Sequence, residues 1–277
     1  MKTIAIMGLG LMGSSLGLAL KKRGVDVEIR AYARRDETRE AALKIGAADS
    51  VFDNPVETVR GADMVVFCVP ILTIPELAKA CLSGLSPEAI LTDVGSTKAE
   101  LVILMDDLLA GIDAVFVGSH PICGSEQQGI EAGSPNLYKG AVTVVTPRSD
   151  AIEGTVSEVS NLWKSVGSAV RVMNPETHDE ILATTSHLPH MVAATLVRCV
   201  NDGLFCGTGF LDSTRIAAGS PEVWSDIVRT NAPALKAALA DFRGHLEELD
   251  ALIDADDDEK LINWFAAARD KRKELLS

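Results

Sequence analysis

The beginning of the chain carries the feature that most constrains its fold, an apolar run followed at once by closely spaced glycines. Residues Thr3–Met7 have the composition of a short buried strand, and Gly8, Gly10 and Gly13 follow with G-x-G-x-x-G spacing before the helical pattern of Ser14–Leu20. In such a turn Gly8 permits the tight bend, Gly10 lets the backbone approach a pyrophosphate, and Gly13 lets helix and strand pack closely. This context favours a dinucleotide site over a plain strand–helix turn.

Short apolar segments alternate with helical patterns through the first 173 residues. The predicted strands are Thr3–Met7, Val27–Tyr32, Met64–Cys68, Ile90–Asp93, Ala114–Val117, Val142–Thr146 and Ala169–Val172. Brief, nearly all-apolar strands separated by helices are typical of a parallel sheet buried on both faces. We therefore expect an α/β fold in which residues 1–173 form a doubly wound, mostly parallel domain of the Rossmann type.

The pattern changes at Asn174, which is followed by proline and early acid as at a helix start. We expect residues 174–277 to form an all-helical domain for substrate binding and dimerisation. A long helix begins near Trp224 and is interrupted at Pro233, and its apolar residues recur seven apart at Val228, Leu235, Phe242 and Leu249. So much apolar surface in a short domain predicts a homodimer through the helical half.

Charge and composition exclude several classes of partner. The chain has a formal net charge of −13, which argues against nucleic acid and anionic membranes. It shows no apolar run of transmembrane length and no secretory signal, so we expect a cytoplasmic protein. The five cysteines form no C-x-x-C pair, which favours reduced thiols and no metal site. An anionic substrate would need specific cations in its pocket.

The end of the second predicted strand bears on which dinucleotide binds. An acidic residue there would bind the ribose hydroxyls of NAD, but this strand ends in Ala33 followed by Arg34 and Arg35. Arginine at this place can pair with a 2′-phosphate. We expect NADP as the preferred cofactor, with NAD as the alternative, unless both arginines are merely solvated.

Five later segments carry motifs that are specific together. They are Asp93–Lys98 (DVGSTK), Gly118–Glu126 (GSHPICGSE), the helix with Thr177–Asp179 (THD) and Ser186–His190 (SHLPH), Gly209–Arg215 (GFLDSTR) and Pro221–Trp224 (PEVW). Together they closely resemble one family, the prephenate and arogenate dehydrogenases. The resemblance runs in order from residue 3 to about residue 245. It implies an NAD(P)-dependent enzyme of tyrosine biosynthesis that takes a hydride from a cyclohexadiene carbinol, after which the ring loses carbon dioxide and becomes aromatic.

The resemblance also implies which residues act in the reaction. His120, expected on a loop after a strand, corresponds to the residue that accepts the hydroxyl proton, a task suited to a histidine. Ser96 corresponds to the serine beside that histidine and the nicotinamide. Outside such a setting, a loop histidine that caps a carbonyl would be the simpler interpretation.

Substrate binding is assigned by the same resemblance to Arg215, His190 and Ser125. A guanidinium suits a carboxylate bound bidentately and supplies the missing local cation, although a salt bridge from Arg215 to Asp212 is the alternative. The cofactor residues implied, beyond those named above, are Leu11, Met12 and Val69.

Helical geometry places the remaining histidines less definitely. His187 and His190 are three apart and share a face, whereas His178 falls opposite His187 by the 3.6-residue period, and Pro189 should kink the helix. We leave open whether His178 and His187 are structural. Trp224 suits either the pocket or core packing.

Two other interpretations remain at this point. A β-hydroxyacid dehydrogenase or imine reductase would share the two-domain shape, but the former generally carries a lysine that the segment from Pro175 to Asn201 lacks. A non-catalytic NADP-binding regulatory protein would need the glycines without needing His120, His190 and Arg215 together.

Overall fold

The computed structural model describes residues 1–124, 127–255 and 257–276, and it places nine strands in two sheets within those residues. The strands are β1 (Thr3–Met7), β2 (Glu28–Tyr32), β3 (Ser50–Phe52), β4 (Met64–Phe67), β5 (Ala89–Asp93), β6 (Ala114–Phe116), β7 (Gly118–Ile122), β8 (Val142–Thr146) and β9 (Ala169–Val172). Six of them form a parallel sheet in the order β3-β2-β1-β4-β5-β6. The order reverses between β1 and β4, where a crevice opens at the carboxyl ends of the strands.

Helices connect and cover these strands. Their bounds are α1 (Leu11–Lys22), α2 (Asp36–Ile45), α3 (Pro55–Val59), α4 (Ile74–Cys81), α5 (Ala99–Leu109), α6 (Glu153–Ser165), α7 (Pro175–Leu182), α8 (Leu188–Arg198), α9 (Thr208–Thr214), α10 (Pro221–Thr230), α11 (Ala232–Asp254) and α12 (Asp258–Leu275). The predicted helix start at Asn174 is confirmed, because its side chain accepts a hydrogen bond from Thr177 N at 2.6 Å and Pro175 occupies the first turn.

The parallel sheet is buried on both faces, as its apolar strands predicted. Alternate residues of β1 divide between two cores: Ile4 and Ile6 belong to one cluster, and Ala5 and Met7 to the other. All four are fully buried. Helices therefore cover both sides of the sheet, and the doubly wound α/β architecture is confirmed.

Two strands were not predicted, and one of them carries His120. β3 has three residues, too few for a clear apolar run. β7 pairs antiparallel with β8, and β8 pairs parallel with β9, to form a separate three-stranded sheet. The prediction that His120 lies on a loop is wrong, because it sits in β7 opposite Val144. Gly118 and Pro121 lower the β-propensity of this segment, which explains why it was missed.

The histidine-bearing helix is broken earlier than predicted. A π-helical turn over Ala183–His187 lies between α7 and α8, and Pro189, which has no backbone N–H to donate, follows it as the second residue of α8. The wide turn changes the helical phase. His178 and His187 consequently meet in one polar cluster, and the prediction that they lie on opposite faces is wrong.

The chain divides into two compact units, Met1–Ala232 and Pro233–Ser277. The predicted interruption near Pro233 is confirmed, since α10 ends at Thr230 and α11 begins at Ala232. The second unit consists of helices through its described residues. The functional boundary after residue 173 stays a prediction. Within the described ranges, no helix is both long and apolar enough to cross a bilayer.

Candidate active site

The glycine turn after β1 has a geometry that only glycine satisfies. Gly8 adopts φ of +114°, and a Cβ there would lie 2.7 Å from the carbonyl oxygen of Cys68. A Cβ on Gly13 would lie 1.9 Å from Gly8 O, whereas one on Gly10 would meet nothing within 4 Å. Gly10 also directly precedes α1. The open backbone at the helix N-terminus leaves room for a pyrophosphate, and binding of one by these glycines stays a prediction.

A distant loop braces this turn. The hydroxyl of fully buried Tyr138 donates to Met12 O at 2.7 Å, and Ser134 N donates to Ser15 Oγ at 2.9 Å. Sequence reasoning missed these supports, because they come from residues more than a hundred positions away. They hold the first turn of α1 in place.

One cleft of about 870 Å³ begins at the glycine turn and runs along the end of β2. Arg34 and Arg35 line it with exposed side chains, and within the described residues neither forms a hydrogen bond or ion pair through its guanidinium. Arg39, by contrast, donates to Ala33 O and Arg34 O, both at 2.9 Å, and pairs with Asp36. Arg39 thus braces the backbone while the two predicted arginines face the cleft.

A second cleft, of about 430 Å³, adjoins the first. The two share lining residues that include Gly10 and Val69. The second cleft continues past Leu11 and Met12 to Ser96 and Trp224. A ligand extended along the shared wall would therefore reach from the arginines to Ser96.

A buried ion pair fixes the segment that carries Ser96. Lys98 Nζ pairs with Asp93 and also donates to Ser119 O at 3.1 Å, and both charged side chains are fully buried. Asp93 accepts from Gly95 N at 2.7 Å and from Ser119 N at 3.0 Å. Burial lowers the pKa of Lys98, and the charge of Asp93 opposes that shift. Ser96 and His120, each adjacent to a residue of this network, are thereby held in neighbouring segments.

His120 is not among the residues that line either of these two clefts. Its side chain is buried, with 9% of the residue surface exposed. Next to it, Ser119 Oγ donates to Asp93 O at 2.6 Å and accepts from Trp163 Nε1 at 2.9 Å. Burial, followed by the nearby His178, Lys98 and His187, keeps the pKa of His120 well below its usual value. The imidazole is therefore neutral near pH 7, as a proton acceptor must be.

Two residues of α7, His178 and Asp179, form a line of hydrogen bonds with His120. His120 Nδ1 lies 2.9 Å from His178 Nε2, and His178 Nδ1 lies 2.7 Å from Asp179 Oδ1. The same carboxylate accepts from Lys98 N and Ala99 N, each at 2.8 Å, and so caps α5. Sequence reasoning included His178 and Asp179 in the family motif, but it left open whether His178 is structural and gave Asp179 no role.

His187 is linked to Asp179 through the side-chain amide of Asn231. The side-chain amide of Asn231 donates to Asp179 O at 2.8 Å and to His187 Nδ1 at 3.1 Å. Burial lowers the pKa of His187 to about 4, against the opposing charge of Asp179. Nε2 of His187 is buried and has no hydrogen-bond partner in the described structure. Asn231 follows α10, and its link to α7 was not foreseen.

His190 is buried behind Trp224. Burial lowers the pKa of His190, and its ring stacks on the indole. A Cβ on Gly219 would lie 2.7 Å from Trp224 Nε1 and 3.4 Å from His190 Cε1. The two rings therefore pack against the backbone of Gly219, which directly follows the Arg215–Ala218 turn.

The structure places Arg215 at the start of a 3-10 turn that packs against α8. Its side chain is exposed and has no ion pair within the described ranges, so the alternative salt bridge to Asp212 is not formed there. Ser125 lies outside the described residues. That Arg215 and His120 converge on one substrate remains a prediction.

Comparison with known proteins identifies the family. The model for the nucleotide-binding domain of prephenate dehydrogenase matches residues 16–172, and the model for its dimerization domain matches residues 174–267. A cyclohexadienyl dehydrogenase of Zymomonas mobilis is 33% identical over 99% of this chain and 96% of its own length.

Solved structures agree over the whole fold. Prephenate dehydrogenase from Aquifex aeolicus, in complex with hydroxyphenyl propionate and NAD+, superposes with a TM-score of 0.92 at 33% identity, covering 99% of this chain and 98% of the other. Arogenate dehydrogenase from Synechocystis gives a TM-score of 0.86 at 29% identity, covering 99% of both chains. These matches favour an oxidoreductase over the regulatory protein and the other dehydrogenases that the sequence left open. The chain belongs to the prephenate dehydrogenase family.

Proposed function

We propose that this chain catalyses the oxidative decarboxylation of prephenate or arogenate in tyrosine biosynthesis, with NADP as the preferred hydride acceptor. The observation that carries the proposal is a neutral buried imidazole, His120, anchored through Ser119 and Asp93 beside the Ser96 segment of a dinucleotide cleft. Relatives that act on prephenate and arogenate match the chain from end to end.

We assign the roles of the residues by resemblance to the family. His120 accepts the proton of the ring hydroxyl, while Ser96 hydrogen-bonds the same oxygen from the cleft wall. A nicotinamide held by the glycine turn would supply the acceptor for the carbinol hydrogen, which leaves as hydride. The carbon–carboxylate bond then breaks, its electron pair enters the ring, and carbon dioxide leaves as the ring becomes aromatic. The protein therefore mainly positions the ring and accepts one proton.

Substrate anions need local cations, because the chain carries a net charge of −13. Arg215 has an exposed guanidinium without a competing carboxylate in the described structure, which supports its role as a carboxylate ligand. His190 and Ser125 complete the proposed substrate set by resemblance.

The preference for NADP rests on the cleft beside β2. Arg34 and Arg35 line it with exposed side chains, and neither guanidinium is paired within the residues that the structure describes. A ribose 2′-phosphate is the anion that such a pair would bind in a Rossmann domain.

A dimerization-domain model matches residues 174–267, and on this basis we propose a homodimer. A monomer at micromolar concentration by light scattering would contradict the dimer.

The direct test uses purified full-length protein, NADP and prephenate, with the absorbance of the reduced nicotinamide and released carbon dioxide as the two readouts. A parallel reaction with arogenate decides the substrate. We expect equimolar reduced cofactor and carbon dioxide with at least one of them. No reduction with either substrate, by protein that still binds cofactor, would refute the proposal.

A further inference from the structure

A continuous hydrogen-bonded line runs from α7 to the imidazole proposed as the base. Asp179, His178 and His120 follow one another at 2.7 and 2.9 Å, and no more than 9% of any of these residues is exposed. We propose that His178 and Asp179 are positioning residues that fix the tautomer of His120, so that Nε2 of His120 carries the lone pair offered to the substrate hydroxyl. This inference rests on the proposed function for the role of the base, although the tautomer itself does not.

The direction of each hydrogen bond follows from the acceptor at the end of the line. A carboxylate only accepts, so the ring nitrogen facing Asp179 must donate, and His178 carries its proton on Nδ1. In the neutral form of His178 the one proton is on Nδ1, so Nε2 has no N–H and accepts. His120 must then donate from Nδ1. The single proton of neutral His120 is therefore donated to His178, and Nε2 of His120 is left unprotonated as the basic nitrogen.

The carboxylate is itself held by groups that do not take part in turnover. Lys98 N and Ala99 N donate to Asp179 from the first turn of α5, and Asn231 Nδ2 donates to its backbone carbonyl. These contacts fix the position of α7, and hence the ring of His178. The position of His178 in turn fixes the ring plane of His120, with the two centroids 5.1 Å apart and the planes at 71°.

The same line serves the reaction after proton transfer. When the hydroxyl proton moves to Nε2, His120 becomes an imidazolium whose Nδ1–H still points to His178. The negative charge of Asp179 lies at the far end of that line and stabilises the new positive charge. Nearby Lys98 would oppose it, but Lys98 is paired with Asp93.

Nitrogen NMR of histidine-labelled full-length protein, without ligand, reads the tautomer directly. The chain has five histidines, which single substitutions assign. In the wild type we expect His120 to be protonated on Nδ1 and unprotonated on Nε2. His178→Leu removes the acceptor and should move the His120 proton to Nε2, whereas His178→Gln offers an amide oxygen and should retain it on Nδ1. A wild-type His120 that carries its proton on Nε2 would overturn the proposal.

Kinetics test whether the tautomer matters. We expect His178→Leu to lower kcat by at least about tenfold with little change in the affinity for NADP, and His178→Gln to recover part of that loss. Thr143→Val is the matched control, because it removes a buried hydrogen bond to Ser168 Oγ without touching His120; it should leave kcat unchanged. His178→Leu with the kcat of the wild type would overturn the positioning role. An inactive wild type with the expected spectrum would instead refute the proposed function and leave the tautomer assignment intact.

Discussion

The indole of Trp224 stacks on the imidazole of His190, with ring centroids 3.4 Å apart and planes inclined by 12°. Trp224 also lines the cleft that contains Ser96. Trp224 therefore contacts a buried residue of α8 and also forms part of the cleft wall. The stack holds both rings in place within the proposed substrate site, which reduces the conformational entropy lost on binding.

His120→Asn should separate binding from chemistry. The asparagine amide can still donate toward His178, but it offers no basic nitrogen in place of Nε2. We expect turnover to fall by at least about a hundredfold, with an unchanged dissociation constant for NADP measured by fluorescence titration. Turnover within a few-fold of the wild type would exclude His120 as the base.

Arg215→Lys should affect the substrate more than the chemical step. Lysine keeps the charge but loses the planar fork that binds a carboxylate through two parallel hydrogen bonds. We expect the Michaelis constant for the substrate to rise about tenfold or more, with a smaller fall in kcat. The control is Arg171→Lys, on an exposed arginine whose guanidinium donates to the carbonyl of Val170. An unchanged Michaelis constant would remove Arg215 from the substrate site.

Replacing both Arg34 and Arg35 by alanine should change cofactor preference. Loss of two charge-assisted contacts to a 2′-phosphate predicts a Michaelis constant for NADP raised about tenfold or more, with that for NAD nearly unchanged. Lys44→Ala, which removes an exposed cation of α2 outside the cleft lining, is the control. Equal initial rates of the wild type with NAD and NADP at low cofactor concentration would contradict the preference itself.

The stability of the protein should fall as pH drops from 7 to 5, partly through His187. Its folded pKa of about 4 lies below the unfolded value, so the unfolded chain binds the extra proton in this window and stability is lost as pH falls. The shift corresponds to about 2 kcal/mol at pH 5. Urea unfolding at fixed protein concentration should show this loss in the wild type. His187→Gln should reduce the loss by about that amount, and an equal loss in the variant would contradict the assignment.

The local signals of the sequence were sufficient where the structure depends on neighbouring residues. The strand, glycine turn and helix at the N-terminus occupy one continuous segment, and steric exclusion at Gly8 and Gly13 can be inferred from their spacing. The start of α7 at Asn174 is equally local, since a capping side chain reaches only a few residues. β7 was missed for the opposite reason: its pairing with β8 supplies the hydrogen bonds that its own composition does not predict.

The sequence alone determined the dinucleotide fold and the residue types of the chemistry, because periodicity and glycine spacing follow from short-range sterics. Only the tertiary structure decided that His120 lies in a strand, that the π-helical turn brings His178 and His187 into one cluster, and that Asp179 stands behind the proposed base. The contact between His120 and His178 joins residues that are 58 positions apart. Their hydrogen-bond directions depend on which groups meet after packing, and no local pattern encodes that meeting.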